Sequence, residues 1–333
     1  MQDAKERPQP DAKLDVKSQV ARTLIEAMEK GDTPWQKPWK SQALMPTNPT
    51  TRNGYRGINR LLLALSGRSS NLWCTFQQAS AKGWRVKKGE KGTMIVKVVE
   101  FTRDSKDQGG ASDSGGAASD SREAEGEQRK GFALKRYWVF NAEQIEGMPQ
   151  AEPEAGREFH PIEKAESVVR ALSEQTGLIV IHGGNQACYI PALDEVRLPP
   201  VRAFATPYDM WATKMHECAH STMHAKRLNR TEAYAKRWGD SAYALEELTA
   251  EISSAMLSAE TGVPMSQDPA HVHNHASYLR GWIKAIENDP MAIFTAAKNA
   301  DRICEYMLGL ERQLTAMEPH KEWIEEYDNA RRA

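Results

Sequence analysis

The chain has 333 residues, long enough for two domains. A formal net charge of -1 makes whole-chain charge uninformative about partners. No run of eighteen apolar residues occurs, so no membrane span is expected, and the charged start of the chain lacks the apolar stretch of a secretory signal. The four cysteines are scattered, with no C-x-x-C pair, which argues against a disulfide framework and for a reduced, cytoplasmic setting.

Residues 1–13 are polar and read as a disordered tail. Val16, Val20, Leu24 and Met28 then step by four, predicting an amphipathic helix that ends near Gly31. Trp35 and Trp39 follow among Pro34, Pro38, Lys37 and Lys40, a stiff extended loop. Short helices are expected over 61–66 and 73–82, and a strand over 93–102. The stretch 103–130 is rich in Gly, Ser, Ala and acidic residues without apolar periodicity, a flexible insertion between that strand and its partner at 132–140. A boundary falls near Met148–Phe159, giving one domain over 14–148 and another over 149–333, in an α+β chain.

The neutral total hides a basic first half. Between Gly31 and Val99 lysine and arginine recur, while the only acids are Asp32 and Glu90. Trp35, Trp39, Tyr55, Trp73 and Trp84 are interleaved with these cations. Cations that neutralise phosphates and aromatic rings that stack on unpaired bases are what single-stranded nucleic acid requires. The local concentration is highest at 35–60. Lys37, Lys40, Arg52, Arg56 and Arg60 are candidates for phosphates, and Trp35, Trp39 and Tyr55 for bases. Asn59 lies in the same stretch and is counted with them.

The second half opens with a helix over 162–176 and a strand at 179–181. A hairpin over 187–199 turns near Leu193-Asp194 and could serve as an edge against which an extended polypeptide lies. Thr206, Pro207 and Asp209 then form a helix start: an N-cap, a proline at the first position and an acidic partner. One to two turns in stands His216-Glu217-Cys218-Ala219-His220, an H-E-x-x-H. Two imidazoles four apart lie on one helix face and can share a metal ion, with Glu217 beside them to take a proton from a metal-bound water. The next helix carries Glu247 and Glu251 on one face, with Glu246 pointing elsewhere, and is stopped by Gly262 and Pro264. Glu247 is assigned as the third ligand and Glu251 as the group that orients a ligand histidine through its free ring nitrogen. His224 reads as a peripheral histidine, and His271, His273 and His275 as polar residues of a loop. A last helix is expected over 278–310.

Both motif sets resemble one family. Pro34-Trp35, Trp39, Thr51, Tyr55-Arg56-Gly57-Ile58-Asn59, Trp73, Phe76 and the Gly83–Gly92 stretch look like the N-terminal domain of ArdC-type antirestriction proteins of conjugative plasmids, related to plasmid TraC primases. Tyr189, Asp194, Leu198-Pro199, Phe204, the 216–222 run and Glu246–Glu251 look like that family's zincin-like metallopeptidase domain. The resemblance implies single-stranded DNA binding, protection of incoming plasmid DNA, a Zn²⁺ site that Mn²⁺ could also fill, and a protein or peptide substrate. It also implies kinship with Spartan-like DNA–protein crosslink proteases. The alternative is a DNA-binding shield or primase-accessory protein whose metal is structural.

Overall fold

The structure is a computed structural model and describes residues 15–31, 46–103, 129–149, 161–230, 241–264 and 269–317. Helix α1 (Val16–Glu29) starts where the Asp15 carboxylate accepts the Ser18 amide at 2.8 Å and ends at Gly31, whose φ of +72° suits a residue without a side chain. Its Val20, Leu24 and Met28 are fully buried. Helix α2 (Ile58–Leu65) follows. Then come strand β1 (Trp73–Thr75) and helix α3 (Phe76–Ala81), which is capped by Thr75 and Gln78. The expected helix over 73–82 therefore begins only at Phe76, because Trp73 pairs with Asn141 and Cys74 with Phe140.

Strands β2 (Arg85–Val86), β3 (Thr93–Arg103), β4 (Arg129–Asn141) and β5 (Ile145–Glu146) complete the first half. β3 and β4 pair antiparallel from Thr93↔Val139 to Arg103↔Arg129, the pairing expected across the insertion, and the sheet order is β1-β4-β3. At the outer edge of β3, the Asn59 side chain donates to the Val96 carbonyl and accepts its amide, both at 2.8 Å. A small core of Cys74, Ala79, Ala142, Ile145 and Met148 closes the α3–β2–β5 lobe, with Trp84 and Phe140 packed against it.

The second half contains helix α4 (Pro161–Thr176), strands β6 (Ile179–His182), β7 (Cys188–Ile190) and β8 (Glu195–Leu198), and helices α5 (Pro207–Ser221), α6 (Ser241–Thr261), α7 (Pro269–Asn288) and α8 (Met291–Met317). β7 and β8 form the expected hairpin, β6 runs parallel to β8, and the order β6-β8-β7 leaves β7 at an edge. Residues 271–275 are helical rather than looped, and the last helical region is two helices broken before Met291, where Pro290 cannot continue the backbone ladder. Among the described residues no helix is long and apolar enough to cross a membrane.

The halves share one core. Val20, Leu24 and Met28 of α1 and Leu61 and Leu62 of α2 lie in the same buried cluster as Val168, Leu248, Ile252, Trp282 and Ile303. This interior extends beneath α5 and α6, which carry the H-E-x-x-H and the downstream glutamates.

Candidate metal centre

The start of α5 follows the sequence logic. The Thr206 hydroxyl accepts the Asp209 amide at 3.1 Å and donates to the Asp209 carboxylate at 2.6 Å, with Pro207 in the first turn. Met215, Cys218 and Ala219 point into the core, which turns His216 and His220 towards α6. Burial pushes the Cys218 thiol up to about 12, so the cysteine inside the motif stays a neutral core residue.

His216, His220 and Glu247 converge, each offering a ligand atom within 4.8 Å of the others. The two Nε2 atoms are 3.2 Å apart. Glu247 reaches His216 Nε2 at 3.8 Å and His220 Nε2 at 3.6 Å through its two oxygens. The far side of each imidazole meets a different carboxylate: His216 Nδ1 lies 3.5 Å from Glu251, and His220 Nδ1 lies 3.3 Å from Glu246.

Glu246 is the residue that sequence reasoning missed. It is buried and gripped by Arg230, whose Nη1 donates to one oxygen at 2.5 Å and Nη2 to the other at 3.1 Å. Arg230 also donates to the Ala219 carbonyl at 3.2 Å and the Thr222 hydroxyl at 3.0 Å, tying the end of α5 to α6. Adjacent glutamates point about 100° apart on a helix, but α6 packs against α5, so each of the two neighbours meets the histidine pair from its own side. The adjacency of Glu246 and Glu247 after an H-E-x-x-H was the available signal. Of the two tyrosines near the hairpin and α6, Tyr243 hydrogen-bonds Glu247 and shares a 3.3 Å contact with the Tyr278 hydroxyl. The Tyr189 hydroxyl instead donates to Asp194 at 2.9 Å, while its backbone hydrogen-bonds Glu217. His224 lies beyond α5, 3.9 Å from Asp194.

The electrostatics fit a cation. Burial opposes charge on both imidazoles, yet Glu247 and Glu251 beside His216, and Glu247 and Glu246 beside His220, hold both above the ordinary histidine value. Burial also works against Glu247, but the two imidazoles and Tyr243 bring its carboxyl down to about 2. Glu217 is only 9% exposed, and burial raises its carboxyl despite the neighbouring histidines. Two imidazole nitrogens and one carboxylate oxygen, backed by further carboxylates, form a donor set suited to a divalent ion that would replace the protons held there.

The residues read as a nucleic-acid surface divide. Trp35, Lys37, Trp39 and Lys40 lie outside the described residues. Arg52 is exposed, and Arg56 is exposed while pairing with Glu305 at 2.6 Å. Arg60 is corrected: it is 7% exposed, ion-paired with Asp301 at 2.7 Å and hydrogen-bonded to the Tyr55 carbonyl at 2.9 Å, so it is committed to the fold rather than offered to a phosphate. Asn59 spends both ends of its amide on Val96. The Tyr55 hydroxyl donates to the Trp73 carbonyl at 3.0 Å, and burial pushes its phenol up to about 12, so this ring is packed rather than offered. Trp73 is likewise core, at 2% exposure.

Comparison with known proteins shows the same two halves. The N-terminal domain of anti-restriction factor ArdC matches residues 14–140 and the zincin-like metallopeptidase family matches residues 166–299. DNA primase TraC of Escherichia coli is 37% identical over 88% of this chain, which spans only 20% of that protein's length. The crystal structure of the metal-free antirestriction ArdC protein from plasmid R388 superposes with a TM-score of 0.71 at 31% identity, covering 90% of this chain and 99% of that one. Its Mn(II)-bound structure superposes with a TM-score of 0.66 at 30% identity, over 90% of this chain and 98% of that one.

Proposed function

This chain belongs to the ArdC antirestriction family, and on that premise we propose that it binds single-stranded DNA, protects incoming conjugative plasmid DNA, and carries a zinc-dependent peptidase in its second half. The observation that carries the peptidase reading is Glu217: a buried carboxyl set between two histidines that converge with a third candidate ligand. A structural metal site has no need of such a group.

His216 Nε2, His220 Nε2 and the Glu247 carboxylate would hold the ion. Zn²⁺ suits these donors, and a relative with bound Mn(II) supports a divalent ion as the cofactor. When bound, the ion supplies Lewis acidity towards a substrate carbonyl and a nearby water. Glu217 takes the proton from the attacking water and returns it to the leaving amine. Glu251 and Glu246 fix the rings of His216 and His220, and Arg230 fixes Glu246. Strand β7 sits at a sheet edge with its Tyr189 backbone at Glu217, which suits an extended polypeptide laid along it.

The test is digestion of a protein bound to single-stranded DNA, with and without the DNA, by wild type and Glu217→Ala. Cleavage lost in the variant while its metal is retained supports the peptidase. Metal-loaded wild type that never cuts favours the non-hydrolytic shield.

A further inference from the structure

Three aromatic rings line up on the α3–β2–β5 lobe. Phe76, at the start of α3, is 57% exposed, and Trp138 on β4 is 52% exposed. Phe140 stands between them. It meets Phe76 edge-on, with centroids 6.5 Å apart and planes at 65°. Phe140 and Trp138 share one face of β4, because side chains alternate along a strand. Gly92 seats them: a Cβ there would lie 3.0 Å from the Trp138 Cβ and 3.2 Å from Phe140 Cζ. The glycine lets the backbone that carries Lys91 run directly against the rings. Such exposed aromatic area would otherwise be buried in a core.

The segment that leads into Gly92 is basic. Lys82, Lys88 and Lys91 are all exposed. The only acid between Lys82 and Lys91 is Glu90, and it is already taken by Arg68 at 3.2 Å and Gln144 at 2.8 Å. Stacking platforms beside exposed cations match single-stranded nucleic acid, whose bases offer flat faces and whose backbone offers phosphates.

We propose that single-stranded nucleic acid docks on this lobe, with bases on Phe76 and Trp138 and phosphates along Lys82, Lys88 and Lys91. This rests on the single-strand-binding reading above and moves its centre away from the 52–60 turn, where Arg60, Asn59 and Tyr55 are committed to the fold. The rings are exposed, so their removal leaves the core intact.

The experiment measures binding of a fluorescein-labelled oligothymidylate to the full chain by anisotropy across a salt series. Trp138→Ala and Phe76→Ala should each weaken binding about tenfold without changing the salt slope, matching the ~1–3 kcal/mol that one stacked base contributes. Trp138→Phe should retain most of the affinity. Lys88→Ala and Lys91→Ala should each reduce the slope by about 0.7. Thermal melting of all variants should match wild type. Ring variants that bind like wild type overturn the placement. A wild-type chain that does not bind the single strand overturns the binding reading itself, and the placement with it.

Discussion

Arg60 on α2 and Asp301 on α8 form an ion pair of 2.7 Å, each side chain only 9% exposed. The Gly57 amide donates to the same carboxylate, so one acid of the last helix holds the whole turn before α2. Removing one member of a buried pair leaves the other charge without its counter-ion, a loss of roughly 3–5 kcal/mol. Asp301→Ala should therefore destabilise the chain by about that amount in urea unfolding. Metal content under native conditions should be unchanged, since Asp301 touches none of the ligands.

The shared core bears on how the chain can be divided. A fragment of residues 14–148 would expose the α1 face of Val20, Leu24 and Met28 and the α2 face of Leu61 and Leu62, which are at most 4% exposed in the whole chain. Such a fragment should melt well below the full chain or aggregate, and co-expression with residues 149–333 should restore its solubility. A 14–148 fragment that unfolds cooperatively at the temperature of the full chain would show the halves to be independent after all.

Metal binding should follow the geometry. His216→Ala, His220→Ala and Glu247→Ala should each abolish stoichiometric zinc, measured by elemental analysis after dialysis. Glu217→Ala should keep it. Glu251→Ala and Glu246→Ala should weaken affinity by about 10–100-fold in a chelator competition, because each removes the group that orients one ligand imidazole. If Glu251→Ala empties the site while Glu247→Ala does not, the ligand and its supporting residue are exchanged.

Asp194 gives a pH-dependent handle away from the metal. Burial alone would raise its carboxyl, but hydrogen bonds from Arg227 and Tyr189 and the Arg227 charge outweigh it and hold it below the ordinary value. The Arg227 side chain is fully buried. A depressed folded pKa means the pair stabilises the chain above the unfolded value, about 3.9, and that this contribution is lost as pH falls through the lower folded value. Asp194→Asn should cost roughly 3 kcal/mol near neutral pH. The gap to wild type should close as the pH is lowered below 3.9, read from urea midpoints across a pH series. A gap that stays constant down to acid pH would mean the charge is not what holds Arg227.

The pairing of His216 and His220 on α5 was legible because the signal is local: a capped helix, a fixed spacing and an apolar face that turns the histidines one way. Glu247 followed from the same periodicity. Glu246 was not, since its partner depends on how α6 packs against α5. Arg60 and Asn59 were misread for a related reason. A cation or amide in a basic stretch looks available until Asp301 or the edge of β3, far off in the chain, claims it. Trp73–Thr75 became a strand through pairing with β4, a contact no local propensity encodes.

Asn59 has one further effect. β3 is the outermost strand of its sheet, and at Val96 both outward-facing backbone groups are occupied by a side-chain amide. That amide acts as a one-residue fourth strand, so the sheet stops growing there. It also fixes the hairpin's register, because a slip of one position would turn Val96 away from the amide and move every side chain of β3 to the opposite face. An open ladder is a template for another chain to add to. At Val96, the residue read as a nucleic-acid contact instead occupies the edge groups through which a further strand would add.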